Sequence, residues 1–395
     1  KDLKKFHPTQ VLETGHDILF FWIARMILMT TYATGEIPFE TVYLHGLVRD
    51  EKGRKMSKSL ENIIDPLDVS EKYGTDAVRL SLVIGNTPGN DLKMSEDKIA
   101  YFRNFTNKLW NISRFILMSA KGGSASGGTC MAIPKGRPVP KTLADKWILG
   151  RLDEAVKSVT KDIESFNFSR PGETLRDLTW NELADWYLEI AKIEGGKDAM
   201  LSYLLDSVLK LWHPFMPFVT EEIYQRTFLA NSAKSAKGGS QPKADQPRAG
   251  ASPSGGKGAE FLMIAPWPSA KGGSAFGGKA MKAVKNDFGL IRDVIVSLRT
   301  IRSNYKVEPS KKIDAVLVGG KSAALLSEHA DIIKGLGRLE KLDIVAKGKR
   351  PDKTAGDVVS GVQVYVPLGS IVDLGAEKER LSKELAEAEK YAESL

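Results

Sequence analysis

From Ser95 to Trp212 the apolar residues of the chain return mostly at spacings of three, four or their sum, and nothing else in it restricts the fold so tightly. Ile99, Phe102, Leu109, Ile112 and Ile116 form one stripe, and Ile148, Leu152, Ala155, Val159, Ile163 and Phe166 a second. Leu175, Leu178, Leu183, Trp186 and Ile190 form a third, and Leu201, Leu205, Val208 and Trp212 a fourth. A period near 3.6 places each set on one helix face. Successive one-faced helices bury those faces by packing as a bundle. Thr142 with Asp145 three residues on predicts a capping box at one helix start, and His213-Pro214 stops the last helix. The tryptophans of these runs are expected in the core, where large aromatic side chains usually go.

On either side the pattern changes. Residues 10–30 read as a buried strand, a turn at Gly15 and an apolar helix, and residues 41–48 as a second buried strand, an α/β pattern. The apolar run Ile18 to Met29 is too short to span a bilayer and is interrupted by Arg25, so it is expected to be buried core. Asp65-Pro66 marks a helix start, and Thr75-Asp76 is expected to cap another helix ending near Gly85. Beyond the bundle, Ile291, Val294, Ile295, Leu298 and Ile301 predict a helix that also carries Arg292, Arg299 and Arg302. Strands are expected at 313–318, 342–345 and 362–366, with a helix over 323–336, which makes a small α/β unit. Leu374, Leu381, Leu385, Ala388 and Leu395 begin a heptad seam. Near-copies of Ser-Ala-Lys-Gly-Gly-Ser start at Ser119, Ser235 and Ser269, a composition that cannot bury a core and reads as flexible insertion.

Arg54-Lys55-Met56-Ser57-Lys58-Ser59-Leu60-Glu61-Asn62 lies between the second strand and the Pro66 helix start. Its point charges Lys55 and Lys58, with hydroxyl and backbone donors at Ser57 and Ser59, suit phosphates or carboxylates. By composition alone it reads equally as solvated surface. The net charge of +8 and a pI near 9.2 fit a polyanionic partner, although several lysines fall in the Gly/Ser-rich inserts. Cys130 is the single cysteine, which excludes an intrachain disulfide and a cysteine-based zinc site. A length of 395 residues allows about two to four domains. Lys1 opens the chain with neither Met nor a signal-peptide layout, so the expectation is a piece of a longer cytosolic protein.

The order Lys55-Met56-Ser57-Lys58-Ser59 is the signature of class I aminoacyl-tRNA synthetases, which the chain resembles. Val42 to Asp50 and Asn62 to Asp68 resemble the branch that activates valine, isoleucine and leucine, and Glu13 to Trp22 is similar to its valine-specific members. Trp180-Asn181-Glu182, Trp186-Tyr187 and Leu211 to Phe218 resemble recurrent segments of the anticodon-binding domain of that family.

The resemblance implies a multidomain protein. Residues 1–96 would be the C-terminal half of a doubly wound, Rossmann-like α/β catalytic domain. Residues 97–305 would be the helical anticodon-binding domain, with inserts near 119–140, 232–258 and 269–279. Residues 306–370 would be the small α/β unit, and 371–395 a truncated coiled-coil arm. The implied reaction activates L-valine with ATP, accompanied by Mg²⁺, to valyl-adenylate and transfers it to tRNA(Val). A cytoplasmic monomer is implied, with no membrane and no structural metal.

By the same resemblance Lys58, then Lys55, would serve the ATP phosphates with Ser57 and Ser59. Thr14 and Gly15 would lie against the adenylate, and Asp17 would meet the valine ammonium. Trp22 would wall the side-chain pocket or sit as an ordinary core residue, and His45 and His16 would touch nucleotide or be structural. No match to the family's His-Ile-Gly-His segment and no editing domain is found, so the chain by itself is expected to be inactive. Two alternatives stand beside this reading. One is an isoleucine-specific relative, disfavoured by Ile18 to Phe21; the other is a non-catalytic tRNA-binding module.

Overall fold

A computed structural model describes residues 1–120, 131–229, 261–269 and 278–367, with 382 and 385. The Cys130 position, the insert at 232–258, most of the insert at 269–279 and the predicted heptad seam apart from Leu385 lie outside the described residues. Contacts divide the chain into two units. The first holds Lys1–Val139, Leu149–Asp185 and Asp198–Gly273, and the second Pro140–Ile148, Trp186–Lys197 and Ser274–Leu395.

The first unit opens with helix α1 (Asp2–Phe6) and strand β1 (Thr9–Gly15). A helical crossover from His16 to Thr34 follows, its last part being α2 (Ala24–Thr34), and strand β2 (Phe39–His45) then runs parallel beside β1. In register, Thr14 faces Leu44 and Gly15 faces His45. The apolar run is not the buried core expected of it. Ile23 is 1% exposed, whereas Phe20 is 80%, Phe21 69% and Leu28 71% exposed. β1 is likewise open over most of its length, and β2 is largely half-buried. Periodicity and composition predict an apolar face, but burial needs a second layer to cover it, and the described residues supply none here.

The crossover of 19 residues is also longer than the run read from sequence, and by length and composition it could cross a membrane. Its two ends nevertheless return to neighbouring parallel strands, which is the connection of a βαβ unit.

A second parallel pair, β3 (Val48–Arg49) and β4 (Leu92–Lys93), encloses helices α3 (Pro66–Tyr73) and α4 (Thr75–Val83) between its strands in sequence. The α/β region is thus two short parallel pairs among the described residues rather than one wound sheet. α3 starts as predicted, with Pro66 at its first position and Asp65 Oδ1 accepting from Leu67 N at 2.8 Å. The expected cap at Thr75-Asp76 is not made: Gly74 precedes α4, with no side-chain cap bond. The buried Asp76 instead accepts from Phe218 N at 3.3 Å and Val219 N at 2.7 Å, at the start of a distant helix.

Helix α5 (Glu96–Ala120) buries Ile99, Phe102, Leu109, Ile112 and Ile116, the whole predicted stripe. Helices α6 (Leu143–Glu164) and α7 (Ser169–Arg176) follow. The helix beyond α7 is π-type over Asp177–Tyr187 and continues as α8 (Leu188–Glu194). Helices α9 (Asp198–Trp212) and α10 (Pro217–Tyr224) come next. In the first unit Trp212 is fully buried and tilts against Phe105 at 4.9 Å between centroids. Arg79 of α4 donates to the carbonyls of Pro214 at 3.0 Å and Phe215 at 3.2 Å, so α4 grips the Pro-rich turn from both charges, Asp76 and Arg79.

In the second unit the predicted capping box is present: Asp145 N donates to Thr142 Oγ1 at 3.3 Å, and Thr142 N to Asp145 Oδ2 at 3.2 Å. Asp145 also meets Lys197 Nζ at 2.8 Å and the Tyr187 hydroxyl at 2.7 Å. Burial opposes its charge, but these bonds prevail and hold the carboxyl low.

Helix α11 (Gly278–Asn304) buries Ile291, Val294, Ile295, Leu298 and Ile301. Its arginines differ in their surroundings, Arg292 being exposed. Arg302 is buried and donates to the carbonyls of Glu308 at 3.0 Å and Lys311 at 2.7 Å, and Arg299 lies over the Trp186 ring at 5.2 Å. Strand β5 (Ile313–Val318) leads through α12 (Ala323–Glu328) and α13 (Ala330–Gly337) to β6 (Leu339–Val345). Strands β7 (Thr354–Val359) and β8 (Val362–Pro367) complete a sheet ordered β6-β5-β8-β7, in which β5 and β6 are parallel. β7 was not expected, because its exposed Gly356 to Val358 stretch lacks the apolar alternation that marks a half-buried strand.

Candidate functional site

The site residues named from sequence fall at the carboxyl ends of β1 and β2 and in the loop after β3, the edge of a parallel sheet where ligands gather. Thr14 and Gly15 are buried at the end of β1. A Cβ on Gly15 would stand 2.7 Å from Asp17 Oδ1 and 3.5 Å from His45 Cε1, so the glycine leaves space that those two side chains border. His45 has Nδ1 2.8 Å from Gly46 O and Nε2 3.4 Å from Glu13 Oε1. Asp17 lies in the turn His16–Ile18 and is exposed. Trp22 is 50% exposed, which removes the ordinary-core alternative for it.

β3 ends at Arg49, which bridges Lys55 across a tight hairpin: Asp50 N donates to Arg54 O at 3.0 Å and Gly53 N to Asp50 O at 2.9 Å. Gly53 sits at φ 78°, a conformation other residues rarely adopt. Asp50 fastens the hairpin. Its carboxylate accepts from Arg54 N at 2.7 Å, Arg54 Nε at 2.8 Å and Asn62 Nδ2 at 2.9 Å. The Asn62 bond, assisted by Arg54, lowers the Asp50 carboxyl from 3.8 to about 2 against the effect of burial.

Asn62 Oδ1 in turn accepts from Ser57 N at 2.9 Å. The Ser57 backbone donor, expected to be free for an anion, is therefore engaged. The hydroxyls of Ser57 and Ser59 lie 3.1 Å apart, and a single helical turn over Lys58–Leu60 follows. Lys55 and Lys58 are exposed, and neither ammonium is ion-paired among the described residues.

Asp91 joins the two halves of this edge. It accepts from Leu47 N at 2.8 Å, lies 3.1 Å from His16 Nε2 and pairs with Arg49. The Leu47 N–H, His16 and Arg49 together hold its carboxyl well below the usual carboxylate range. The chain beside it is packed tightly, since a Cβ on Gly46 would fall 1.7 Å from Asn90 O. Sequence reasoning assigned no role to Asp50, Asn62, Asp91 or Gly46. Asp50 and Asn62 were at hand, because both sit inside the quoted flanks of the cationic loop. No hydrogen bond or ion pair among the described residues ties Lys55–Ser59 directly to Thr14, Gly15, Asp17 or His45. An open hollow lined by Lys4, His7, Pro8, Glu36 and Ile37 lies at the amino ends of β1 and β2, the opposite edge. No cluster of His, Cys, Asp or Glu able to hold a metal ion occurs among the described residues.

Residues 1–95 match the model of class I tRNA synthetases for isoleucine, leucine, methionine and valine, and residues 145–317 match that of the anticodon-binding domain of tRNA ligases. The chain is thus similar to class I tRNA synthetases over its first 95 residues and to the anticodon-binding domain of tRNA ligases over residues 145–317. Over its full length it is similar to the protein named valine--tRNA ligase of Dehalococcoides mccartyi (strain 195), with 38% identity over 100% of this chain and 42% of that protein. The valine--tRNA ligase of Symbiobacterium thermophilum is 39% identical over 97% of this chain and 41% of its own. The chain thus corresponds to the C-terminal portion of these relatives and spans about two fifths of their length. A solved LeuRS–tRNA–LeuAMS ternary complex from Agrobacterium radiobacter K84 is 25% identical, with a TM-score of 0.49 over 56% of this chain and 27% of that one.

Proposed function

We propose that the chain is the part of a valine–tRNA ligase that holds the pyrophosphate end of ATP and binds tRNA(Val). The observation that carries this reading is the cationic loop fastened by Asp50 and Asn62, with Lys55 and Lys58 exposed and without a counter-charge among the described residues. In the reaction the valine carboxylate oxygen attacks the α-phosphorus of ATP and the bond to the β-phosphate oxygen breaks, giving valyl-adenylate and pyrophosphate. No proton transfer is needed, so catalysis lies in positioning and in neutralising charge that grows on the leaving group.

Lys58 and Lys55 supply that neutralisation, with the Ser57 and Ser59 hydroxyls as hydrogen-bond donors. ATP enters as its Mg²⁺ complex, a substrate rather than a resident metal. Thr14 and Gly15 form the floor against the adenylate, where Gly15 allows close approach and His45 borders the same space. Asp17, exposed beside Gly15, pairs with the valine ammonium, and Trp22 walls the side-chain pocket. On this reading the protein acts as a monomer in the cytoplasm, and its helical bundle takes the anticodon arm of tRNA(Val).

A protein that carries this segment as its C-terminal portion tests the reading by amino-acid-dependent ATP–pyrophosphate exchange. Exchange driven by valine well above isoleucine and leucine is expected. Equal or greater exchange with isoleucine would contradict it, and exchange with none of the three would favour a non-catalytic tRNA-binding module.

A further inference from the structure

The second unit carries a cationic rim to which the reading above gives no task. Because β5 and β6 are parallel, both chains leave the sheet at one edge. β5 leaves through Gly319-Gly320-Lys321-Ser322, and β6 through Ala346-Lys347-Gly348-Lys349-Arg350-Pro351-Asp352-Lys353. The two exits touch. Gly319 N donates to Val345 O at 2.9 Å, and a Cβ on Gly348 would lie 3.3 Å from Val345 Cγ2 and 3.4 Å from Val318 Cγ2.

Both exits are also held in shape. A Cβ on Gly319 would come 2.9 Å from Ala323 Cα, so the turn into α12 is tight and fixes where Lys321 emerges. In the second exit Arg350 Nη2 donates to Thr354 O at 2.6 Å, Thr354 Oγ1 donates to Pro351 O at 2.8 Å, and Lys353 takes the left-handed φ of 54°.

Lys321, Lys347, Lys349 and Lys353 are exposed and have no ion pair among the described residues, and Asp352 is the only acid in either exit. Along neighbouring β6, by contrast, Lys341 lies between Glu340 and Asp343, and Glu340 pairs with Lys312 at 3.5 Å. That interleaving of signs is the pattern of a merely solvated face. Like charges gathered on shaped, adjacent loops repel one another, and a bound polyanion relieves that repulsion. Residues 346–353 hold no aromatic or large aliphatic side chain to enter a lipid layer, and residues 145–317 match the anticodon-binding domain of tRNA ligases, so the polyanion that fits is RNA.

We propose that this rim, led by Lys321, Lys347 and Lys349, binds the phosphate backbone of tRNA as a contact that does not read sequence; it rests on the reading of the protein as a tRNA ligase. The experiment measures Kd of the 395-residue chain for tRNA(Val) and for a tRNA of another amino acid across a salt series, with phosphatidylserine-containing vesicles as a third ligand. The triple variant Lys321→Ala, Lys347→Ala, Lys349→Ala should weaken both tRNAs by about tenfold or more at low salt. Its slope of log K against log salt should be shallower by about two to three, and the triple Lys→Arg variant should restore both quantities. An alanine variant with the Kd and slope of the parent, or one that loses vesicle binding alone, overturns the proposal. If the parent binds the two tRNAs equally while the alanine variant is weaker on both, the rim stands and the assignment to tRNA(Val) falls.

Discussion

Asn62 holds Asp50 and Ser57 at once: its Nδ2 donates to Asp50 Oδ2 at 2.9 Å, and its Oδ1 accepts from Ser57 N at 2.9 Å. The side chain closes the cationic loop on the hairpin that carries it. Asn62→Ala removes both bonds, so the lysines lose their preset positions. Exchange activity in a protein that carries this segment should fall about tenfold or more, since misplacement alone is that costly. Asn62→Asp should be worse than Asn62→Ala, because it sets a second carboxylate against Asp50. Equal activity of the two variants would contradict the bonding described.

The loop should also have an acid limit. Asp50 falls from 3.8 to about 2, and Asp91 lies below the usual range, so both bind protons less readily folded than unfolded. Their stabilisation is therefore complete above about pH 4 and is lost as pH falls towards 2. The protection of the amides of residues 49–62, taken relative to the intrinsic exchange rate at each pH, should fall over that window. Protection that stays constant from about pH 5 to 2 would contradict this assignment.

Gly46→Ala probes the packing beneath the site. A Cβ 1.7 Å from Asn90 O cannot be accommodated by a side-chain rotation, so backbone must move. A destabilisation of about 3 kcal/mol is expected in denaturant melts. A change under about 0.5 kcal/mol, the range of ordinary surface substitutions, would mean that the segment at Asn90 is free to shift.

Asp76→Ala should loosen the start of α10, which Asp76 caps from α4 through Phe218 N and Val219 N. Loss of one such cap costs about 1–2 kcal/mol. Asp76→Asn, which keeps an acceptor, should recover part of the loss. Thermal melts of the three proteins check the order.

The legible parts of the chain were those set by local pattern. The α5 stripe, the Asp65-Pro66 start and the Thr142–Asp145 capping box depend on residues three or four apart, and all three form. The cationic loop was legible from the order of its residues. What escaped depends on distant partners. Asp91 meets His16 across 75 positions, and Asp76 meets Val219 across 143, so no local window shows either bond. The exposed Phe20 and Phe21 failed for a related reason, because hydrophobicity says that a face should be covered and not whether the described residues contain the cover.

The most direct test of the central claim is valine-dependent ATP–pyrophosphate exchange with Lys58→Ala, in a protein that carries this segment as its C-terminal portion. Removing one preorganised donor to the leaving phosphates should lower the exchange rate by about 10² or more, with the fold and tRNA binding unchanged. Exchange within about threefold of the parent would contradict the assignment of the loop to the pyrophosphate of ATP.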